Sequence, residues 1–284
     1  MSDGPLKLPS LLREFGISPK KSLGQNFLVD DTYLQRIVTA AKIDKQTDVL
    51  EIGAGAGSLT RYLAREARLV TAVEIDKGLF PLLEKITAPY KNILLVQGDI
   101  LKKDINELMQ QSGYVVVANI PYYITSNLIR FLLESPLKPS RMVLTIQHEV
   151  AQRICAQAGA LSLMALSVQV YGEPRIAFQV PAGAFHPVPG VDSAVLIIDL
   201  YSQPCIPREQ INDFFILLKA GYHQKRKMLR NTLASAPGLD KDSCNLILNK
   251  VDIDPQRRAQ TLTVDEWGSL TAAYQGFMAG KTQG

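Results

Sequence analysis

Between about Thr47 and Leu200, short β-branched runs alternate with amphipathic stretches. Strands are expected at Val49–Ile52, Leu69–Ile75, Ile93–Gln97, Tyr114–Ala118 and Met142–Ile146, with helical patterns between them, as at Leu59–Arg68 and Ser126–Glu134. These strand candidates are apolar nearly throughout rather than on alternate positions. That is the pattern of a parallel sheet covered by helices on both faces. Two further runs, Arg175–Val180 and Ser193–Leu200, are joined through Pro- and Gly-rich turns and suit an antiparallel hairpin at one edge of the sheet. A linker-like stretch follows at Ser202-Gln203-Pro204-Cys205-Ile206-Pro207, after which the patterns turn helical, broken at Pro237-Gly238 and Asp254-Pro255. The expected fold is α/β, a mostly parallel sheet with a small all-α C-terminal domain. Its expected divisions are an N-terminal segment 1–46, a sheet domain 47–203 and a helical domain 204–284.

Composition narrows the class. A chain of 284 residues that is 46% hydrophobic and 20% charged can fill a core and suits one main domain with an appendage. No apolar run reaches the length of a membrane span, and Met1-Ser2-Asp3-Gly4-Pro5 has the layout of neither a signal nor a transit peptide, so a cytoplasmic location is expected. Cys155, Cys205 and Cys244 lie too far apart for a disulfide framework or a CxxC zinc pattern, and no second histidine follows His148-Glu149 at metalloprotease spacing. No metal is expected. The net charge of +4 is too small to name a partner by itself, but its distribution is uneven. Residues 206–284 carry 11 basic and 8 acidic side chains, against 20 and 19 in residues 1–205.

The first strand candidate runs into Glu51-Ile52-Gly53-Ala54-Gly55-Ala56-Gly57, a glycine turn that opens a helix. Glycine permits the tight turn and lets a ligand approach the main chain. Glu74 ends the next strand, 21 positions after Gly53, where a carboxylate can accept both ribose hydroxyls of a nucleoside. The third strand ends in Gly98-Asp99, where a carboxylate can take an adenine amino group. The GxGxG spacing differs from the GxGxxG of pyrophosphate-binding dehydrogenases and suits a nucleoside without phosphates, such as S-adenosylmethionine. A plain glycine-rich surface turn is the bland alternative, weakened by the carboxylates at successive strand ends.

The fourth strand ends in Asn119-Ile120-Pro121-Tyr122-Tyr123, at the end of the sheet where ligands bind in open α/β folds. The lone pair of an exocyclic amine is delocalised into its purine ring, so it is a poor nucleophile. An Asn side-chain oxygen and a backbone carbonyl aimed at its two N–H bonds would favour a pyramidal nitrogen. Proline helps fix that carbonyl's direction, and Tyr122 offers a stacking face. No strong base is needed, so catalysis would be positioning and electrostatics. Asn119, Ile120, Pro121 and Tyr122 are therefore the catalytic candidates.

With these motifs the chain resembles the ribosomal small-subunit RNA adenine N6,N6-dimethyltransferases, the KsgA family, from about Lys20 to Trp267. The resemblance is carried by Ser22-Leu23-Gly24-Gln25-Asn26-Phe27-Leu28, the glycine turn, Val73-Glu74-Ile75-Asp76, Gly98-Asp99-Ile100 and Asn119-Ile120-Pro121-Tyr122. It continues in Gln147-His148-Glu149-Val150-Ala151-Gln152-Arg153 and in Phe185-His186-Pro187-Val188-Pro189-Gly190-Val191-Asp192-Ser193. It implies a Rossmann-like S-adenosylmethionine methyltransferase sheet. It also implies that residues 1–46 cover the cofactor and contact RNA, with cofactor contacts at Gln25, Asn26, Leu28, Gly53, Gly55, Glu74, Ile75, Asp99, Ile100 and Asn119. Tyr122 and Phe185 would sandwich the target adenine, although on composition alone Phe185 could equally be a core aromatic. The chain departs from the family at Gly190, where a Lys is common; that removes a possible backbone contact to RNA.

Lys219 to Arg230 holds five basic residues and no acid. Such a run is either a solvated helix face or a sequence-independent grip on phosphates. Gln224, Arg226, Lys227, Leu229 and Arg230 are in register with a family stretch. The expected RNA contacts are Lys20, Lys21, Lys225, Arg226, Lys227 and Arg230. The implied activity is dimethylation of two adjacent adenines in a loop near the 3′ end of small-subunit rRNA within an immature subunit, by a monomer. Two rivals stand beside it: an antibiotic-resistance type of large-subunit rRNA dimethyltransferase, which shares the catalytic motifs, and a ribosome-assembly factor that binds RNA without catalysis. A dehydrogenase is disfavoured by the glycine spacing.

Overall fold

The computed structural model describes residue 4, residues 6–121 and residues 124–282. The chain divides into two compact units, one made of the residues up to Ala151 with Pro174–Leu200, the other of Gln152–Glu173 with the chain from Tyr201 onward.

The first unit is built on strands β2 (Asp48–Ile52), β3 (Leu69–Glu74), β4 (Ile93–Gln97), β5 (Val115–Asn119), β6 (Arg141–Gln147), β7 (Gly172–Val180) and β9 (Ser193–Leu200). Among the described residues these form one sheet in the order β4-β3-β2-β5-β6-β9-β7. The first five named are parallel, with Leu50 opposite Thr71 on one side and Val116 on the other. β9 runs antiparallel to β6, placing Val195 opposite Thr145. β7 lies at the edge beside β9, so the Arg175–Val180 and Ser193–Leu200 runs are neighbours as the pattern predicts. Every residue of β2 is buried, the physical reason its sequence shows no alternation.

Helices α2 (Asp31–Ala41) and α3 (Thr60–Glu66) pack on this sheet. Leu34, Ile37 and Leu63 join Val49, Val70, Val117, Val143 and Val195 in one core. Asp30 starts α2 by accepting the Thr32 N–H at 2.8 Å, satisfying a donor that the first turn would leave unpaired. A second apolar cluster ties the N-terminal helix α1 (Leu8–Glu14) down, with Leu8 and Leu12 against Phe27, Ala56, Leu79 and Leu82. A short strand β1 (Phe27–Leu28) pairs antiparallel with β8 (Phe185–His186) in a separate ribbon.

From β2 the chain steps outward to β3 and β4, then returns to the other side of β2 with β5 and β6. The strand order therefore reverses between β2 and β5. In an open sheet the loops that leave such neighbours part and open a crevice at the strands' C-terminal ends. Gly53 and Asn119 stand at those two ends.

The second unit is helical, and it draws on more of the chain than the residues after 203. Gln152–Glu173, expected in the sheet domain, belongs with the C-terminal helices. The Tyr222 hydroxyl shows why, donating to Leu161 O at 3.0 Å and lying 3.3 Å from Ala259 O. Its core centres on the fully buried Trp267, stacked on Tyr222. The last helix, Val264–Thr282, begins with a capping box: Glu266 N donates to Thr263 Oγ1 and Thr263 N to the Glu266 carboxylate. No helix among the described residues is long and apolar enough to cross a membrane.

Candidate active site

The crevice between β2 and β5 is a cavity. Gly53, Gly55, Glu74, Ile75, Asp99, Ile100, Asn119, Ile120 and Pro121 line one side, Leu23–Phe27 and Phe185 the other. Two glycines shape its floor. Gly53 and Gly55 have φ of 78° and 59°, the left-handed region that favours glycine. A Cβ at Gly53 would lie 3.0 Å from Asn119 O, and one at Gly55 would lie 3.1 Å from the Phe27 ring. The main chain thus runs where a side chain would fill the cleft.

Glu74 closes the turn from the next strand. Its Oε2 accepts the Gly55 N–H and its Oε1 the Asp76 N–H, both at 2.7 Å. Burial pushes its carboxyl above the usual range, opposed by these two donors. Behind the turn lies Glu51, fully buried, with Oε2 lacking a hydrogen-bond partner; burial pushes it up to about 8 and the neighbouring Glu74 adds to the rise. Asp99 follows β4 and accepts the Leu101 N–H at 3.1 Å, capping a 3-10 turn over Ile100–Lys102.

At the reacting end, the Asn119 Nδ2 donates to Asn26 O at 3.1 Å. That bond turns Nδ2 toward the Asn26 carbonyl and engages one of its two N–H donors, which leaves Oδ1 as the acceptor of the amide. Ile120 is buried and donates its N–H to Thr145 O at 3.3 Å. Tyr122, expected to stack on the target base, lies outside the described residues. Phe185 is a core aromatic, 3% exposed, that also reaches the cavity. Its loop is braced by Asp192, whose Oδ1 accepts the Ala182 N–H at 2.9 Å. A side chain at Gly190 would meet open space, so the departure from the family pattern has no packing cause.

Other expected residues fall in different surroundings. Leu28 does not line the main cavity; it is buried in the core and lines a smaller cavity behind the glycine turn, with Glu51 and Ser58. Gln25 does line the cleft, but both ends of its side chain are engaged, Nε2 by Asp76 at 2.8 Å and Oε1 by the Lys20 N–H at 2.7 Å. Lys20 itself is ion-paired with Asp76 at 2.6 Å, whereas Lys21 is exposed. Lys225, Arg226 and Lys227 stand exposed on the turn between helices Ile211–Tyr222 and Leu229–Leu233 rather than on a helix face. Among the described residues no acid pairs with them. Asp76 and the unpartnered Glu51 oxygen are what residue-type reasoning left without a role; both stand within motifs that it quoted, and only burial sets them apart.

The family described as ribosomal RNA adenine dimethylase matches residues 16–270. A ribosomal RNA small subunit methyltransferase A from Dehalococcoides mccartyi strain CBDB1 is 40% identical over 94% of this chain and 92% of its own length. One from Geobacillus sp. strain WCH70 is also 40% identical, over 95% of this chain and 97% of its own. Among solved structures, a dimethyladenosine transferase from Plasmodium falciparum superposes with a TM-score of 0.76 at 25% identity, covering 87% of this chain and 96% of that one. The 23S rRNA methyltransferase ErmE gives 0.72 at 25% identity, covering 88% and 100%. The fold is thus shared with a dimethyladenosine transferase and a 23S rRNA methyltransferase, while the 40% identity over nearly the whole length is to proteins named small-subunit methyltransferases. Cleft, strand ends and matched length agree: the chain belongs to the ribosomal RNA adenine dimethylase family.

Proposed function

We propose that this chain uses S-adenosylmethionine to dimethylate N6 of two adjacent adenines in a loop near the 3′ end of small-subunit rRNA, acting in the cytoplasm as a monomer on an immature subunit. The observation that carries this reading is the Asn119 amide, which lines the cleft with Nδ2 held by Asn26 O, leaving Oδ1 as its acceptor. The cofactor fits the residues present: glycine main chain where a Cβ would intrude, a buried carboxylate at the second strand end and another carboxylate at the third.

S-adenosylmethionine supplies an electrophilic methyl group when bound. The protein's part is to hold and orient. Glu74 uses the lone pairs its two backbone donors leave over to accept ribose hydroxyls, with Gly53 and Gly55 giving close approach. Asp99 takes the adenine amino group of the cofactor, between Ile75 and Ile100. Asn26 contacts the cofactor from the segment that roofs the cleft. At the target base, Asn119 Oδ1 and a carbonyl of the Ile120–Pro121 stretch accept from the amine, directing its lone pair toward the methyl group. Phe185 and Tyr122 hold the ring between them. These fixed acceptors need no reorganisation during reaction, so electrostatic positioning supplies the rate. Lys225, Arg226, Lys227 and Arg230 grip RNA phosphates, with Lys21 as a second contact; a loop adenine is cheap to turn out.

The test is transfer of labelled methyl groups by purified protein to immature small subunits, with the modified bases mapped by mass spectrometry. Asn119→Ala should lower turnover by about 100-fold or more while RNA affinity holds. Methylation of large-subunit adenines instead would favour the resistance-type rival, and no incorporation at all would favour the binding factor. An Asn119→Ala protein that lost RNA affinity but kept transfer would refute the role given to Asn119.

A further inference from the structure

The strap of residues 20–28 that roofs the cleft is fastened at two places of different character. Toward its C-terminal end the fastening is main-chain and apolar: β1 pairs with β8, Phe27 and Leu28 are buried, and Asn26 O takes the Asn119 amide. Toward its N-terminal end it is made of side chains around one carboxylate. Asp76 Oδ1 accepts from Lys20 Nζ at 2.6 Å and from Gly78 N at 2.9 Å, and Oδ2 accepts from Gln25 Nε2 at 2.8 Å. Gln25 Oε1 in turn accepts the Lys20 N–H, so the two strap residues brace each other. Burial pushes the Asp76 carboxyl up, but the donors from Lys20, Gln25 and Gly78 outweigh it and hold the group below the ordinary carboxylate value.

We propose that Lys20, Gln25 and Asp76 form a latch, with Asp76 as its positioning residue: closed, it holds the strap down over the nucleoside cofactor, and its opening lets that cofactor in and out. This rests on the reading of the cleft as an S-adenosylmethionine site. The polar end is the releasable one. The Lys20 side chain is 52% exposed while Asp76 is 4% exposed, so water and salt reach the ion pair from the strap side without disturbing the sheet. The apolar end, by contrast, can open only by exposing buried rings and breaking main-chain bonds. Asp76 is also joined to the ribose-binding group, its N–H donating to Glu74 Oε1, so strap and ligand are held from one turn. A lysine in the N-terminal basic stretch is thereby taken out of the RNA-binding set and given to the roof.

The test compares Asp76→Asn and Lys20→Met with the parent protein by two measurements. Amide exchange of residues 21–26 in the ligand-free protein reads the strap directly, and stopped-flow dissociation of S-adenosylhomocysteine reads its consequence. Asp76→Asn should speed exchange in 21–26 by about ten-fold or more, leave β2 and β5 protected, and speed dissociation by a similar factor. Cofactor KM should rise with a smaller change in kcat. Lys20→Met, at an exposed position, should move both readings in the same direction by less, and serves alone if Asp76→Asn does not fold. Unchanged exchange in both variants overturns the latch; faster exchange with unchanged dissociation overturns its control of the cofactor. If the parent protein does not bind S-adenosylhomocysteine, the cofactor reading fails separately, and the exchange measurement still decides whether the strap is latched.

Discussion

Replacing Glu51 by Gln should change the sign of its effect on stability between pH 5 and pH 8. Glu51 sits at the end of β2 beneath the glycine turn, fully buried, and its carboxyl titrates at about 8 rather than 4.5. Below pH 4.5 it is protonated in both folded and unfolded chains and contributes nothing to the difference. As pH rises, the unfolded chain releases the proton first while the folded chain keeps it, so stability falls progressively until the folded carboxyl also ionises near pH 8. The full loss is about 5 kcal/mol. A glutamine is neutral throughout and escapes this loss. It brings a separate cost that does not depend on pH, because its amide nitrogen carries two N–H donors to the place where the protonated carboxyl has at most one, and the oxygen there has no hydrogen-bond partner, at about 1–3 kcal/mol. The variant should therefore be less stable than the parent near pH 5 and more stable by about 1–3 kcal/mol near pH 8, where the folded carboxyl is half ionised. Urea unfolding at both pH values, followed by far-UV circular dichroism, reads the difference. Tryptophan fluorescence would not serve, since the single tryptophan, Trp267, lies in the helical unit. A variant-minus-parent difference that is the same at both pH values would refute a buried, proton-retaining Glu51.

Gly221→Ala places a Cβ 2.6 Å from the Trp267 ring inside a filled core, and should cost about 1–3 kcal/mol, seen as a lower urea midpoint of Trp267 fluorescence; an unchanged midpoint would mean the ring has room to move. Tyr222→Phe removes the hydroxyl that ties Leu161 and Ala259 to the helical core and should cost about 1–3 kcal/mol by the same assay, with faster amide exchange in Leu163–Gln169. Changing Lys225, Arg226 and Lys227 together to Ala should weaken RNA binding at low salt and flatten the plot of log affinity against log salt by about two. An unaltered slope would make that turn a solvated surface.

What could be read from residue order, and what could not, divides along a physical line. The sheet was legible because its inner strands are buried on both faces and so show unbroken apolar runs; the expected Ser193–Leu200 and the half-exposed edge run Ile93–Gln97 match their strands, and the other boundaries shift by a few residues. The cleft was legible for a related reason. Ligand groups in such a fold sit at strand ends, and strand ends can be counted, which is how Gly53, Glu74, Asp99 and Asn119 are found together from positions spread over 67 residues. The β1–β8 ribbon has no such signature, since a two-residue strand has no periodicity. Nor does the transfer of Gln152–Glu173 to the helical unit, which depends on a hydroxyl 61 residues away.

Charge was the least legible property, and the reason bears on how the site works. Lys20 reads as one more basic residue in a basic N-terminal stretch, yet a buried carboxylate 56 positions later engages it. Asp76 reads as the tail of a strand motif, yet it gathers three donors. Glu51 reads as the head of a glycine turn, yet burial keeps its proton near neutrality. In each case residue type sets the sign of the available charge, while burial and partners decide whether that charge meets a ligand, another residue or none. Glu51, Glu74 and Asp76 crowd three carboxyls behind one turn, where each raises the cost of ionising its neighbour. The cluster can exist because the three are satisfied differently: Glu51 by holding a proton, Glu74 by two main-chain N–H groups, Asp76 by a lysine and an amide from the strap. Removing the strap's donors would leave Asp76 under-paired beside Glu74, so the strap stabilises the Glu74 end of the cleft. The strap that lines the cleft is thus part of the electrostatic balance at its floor.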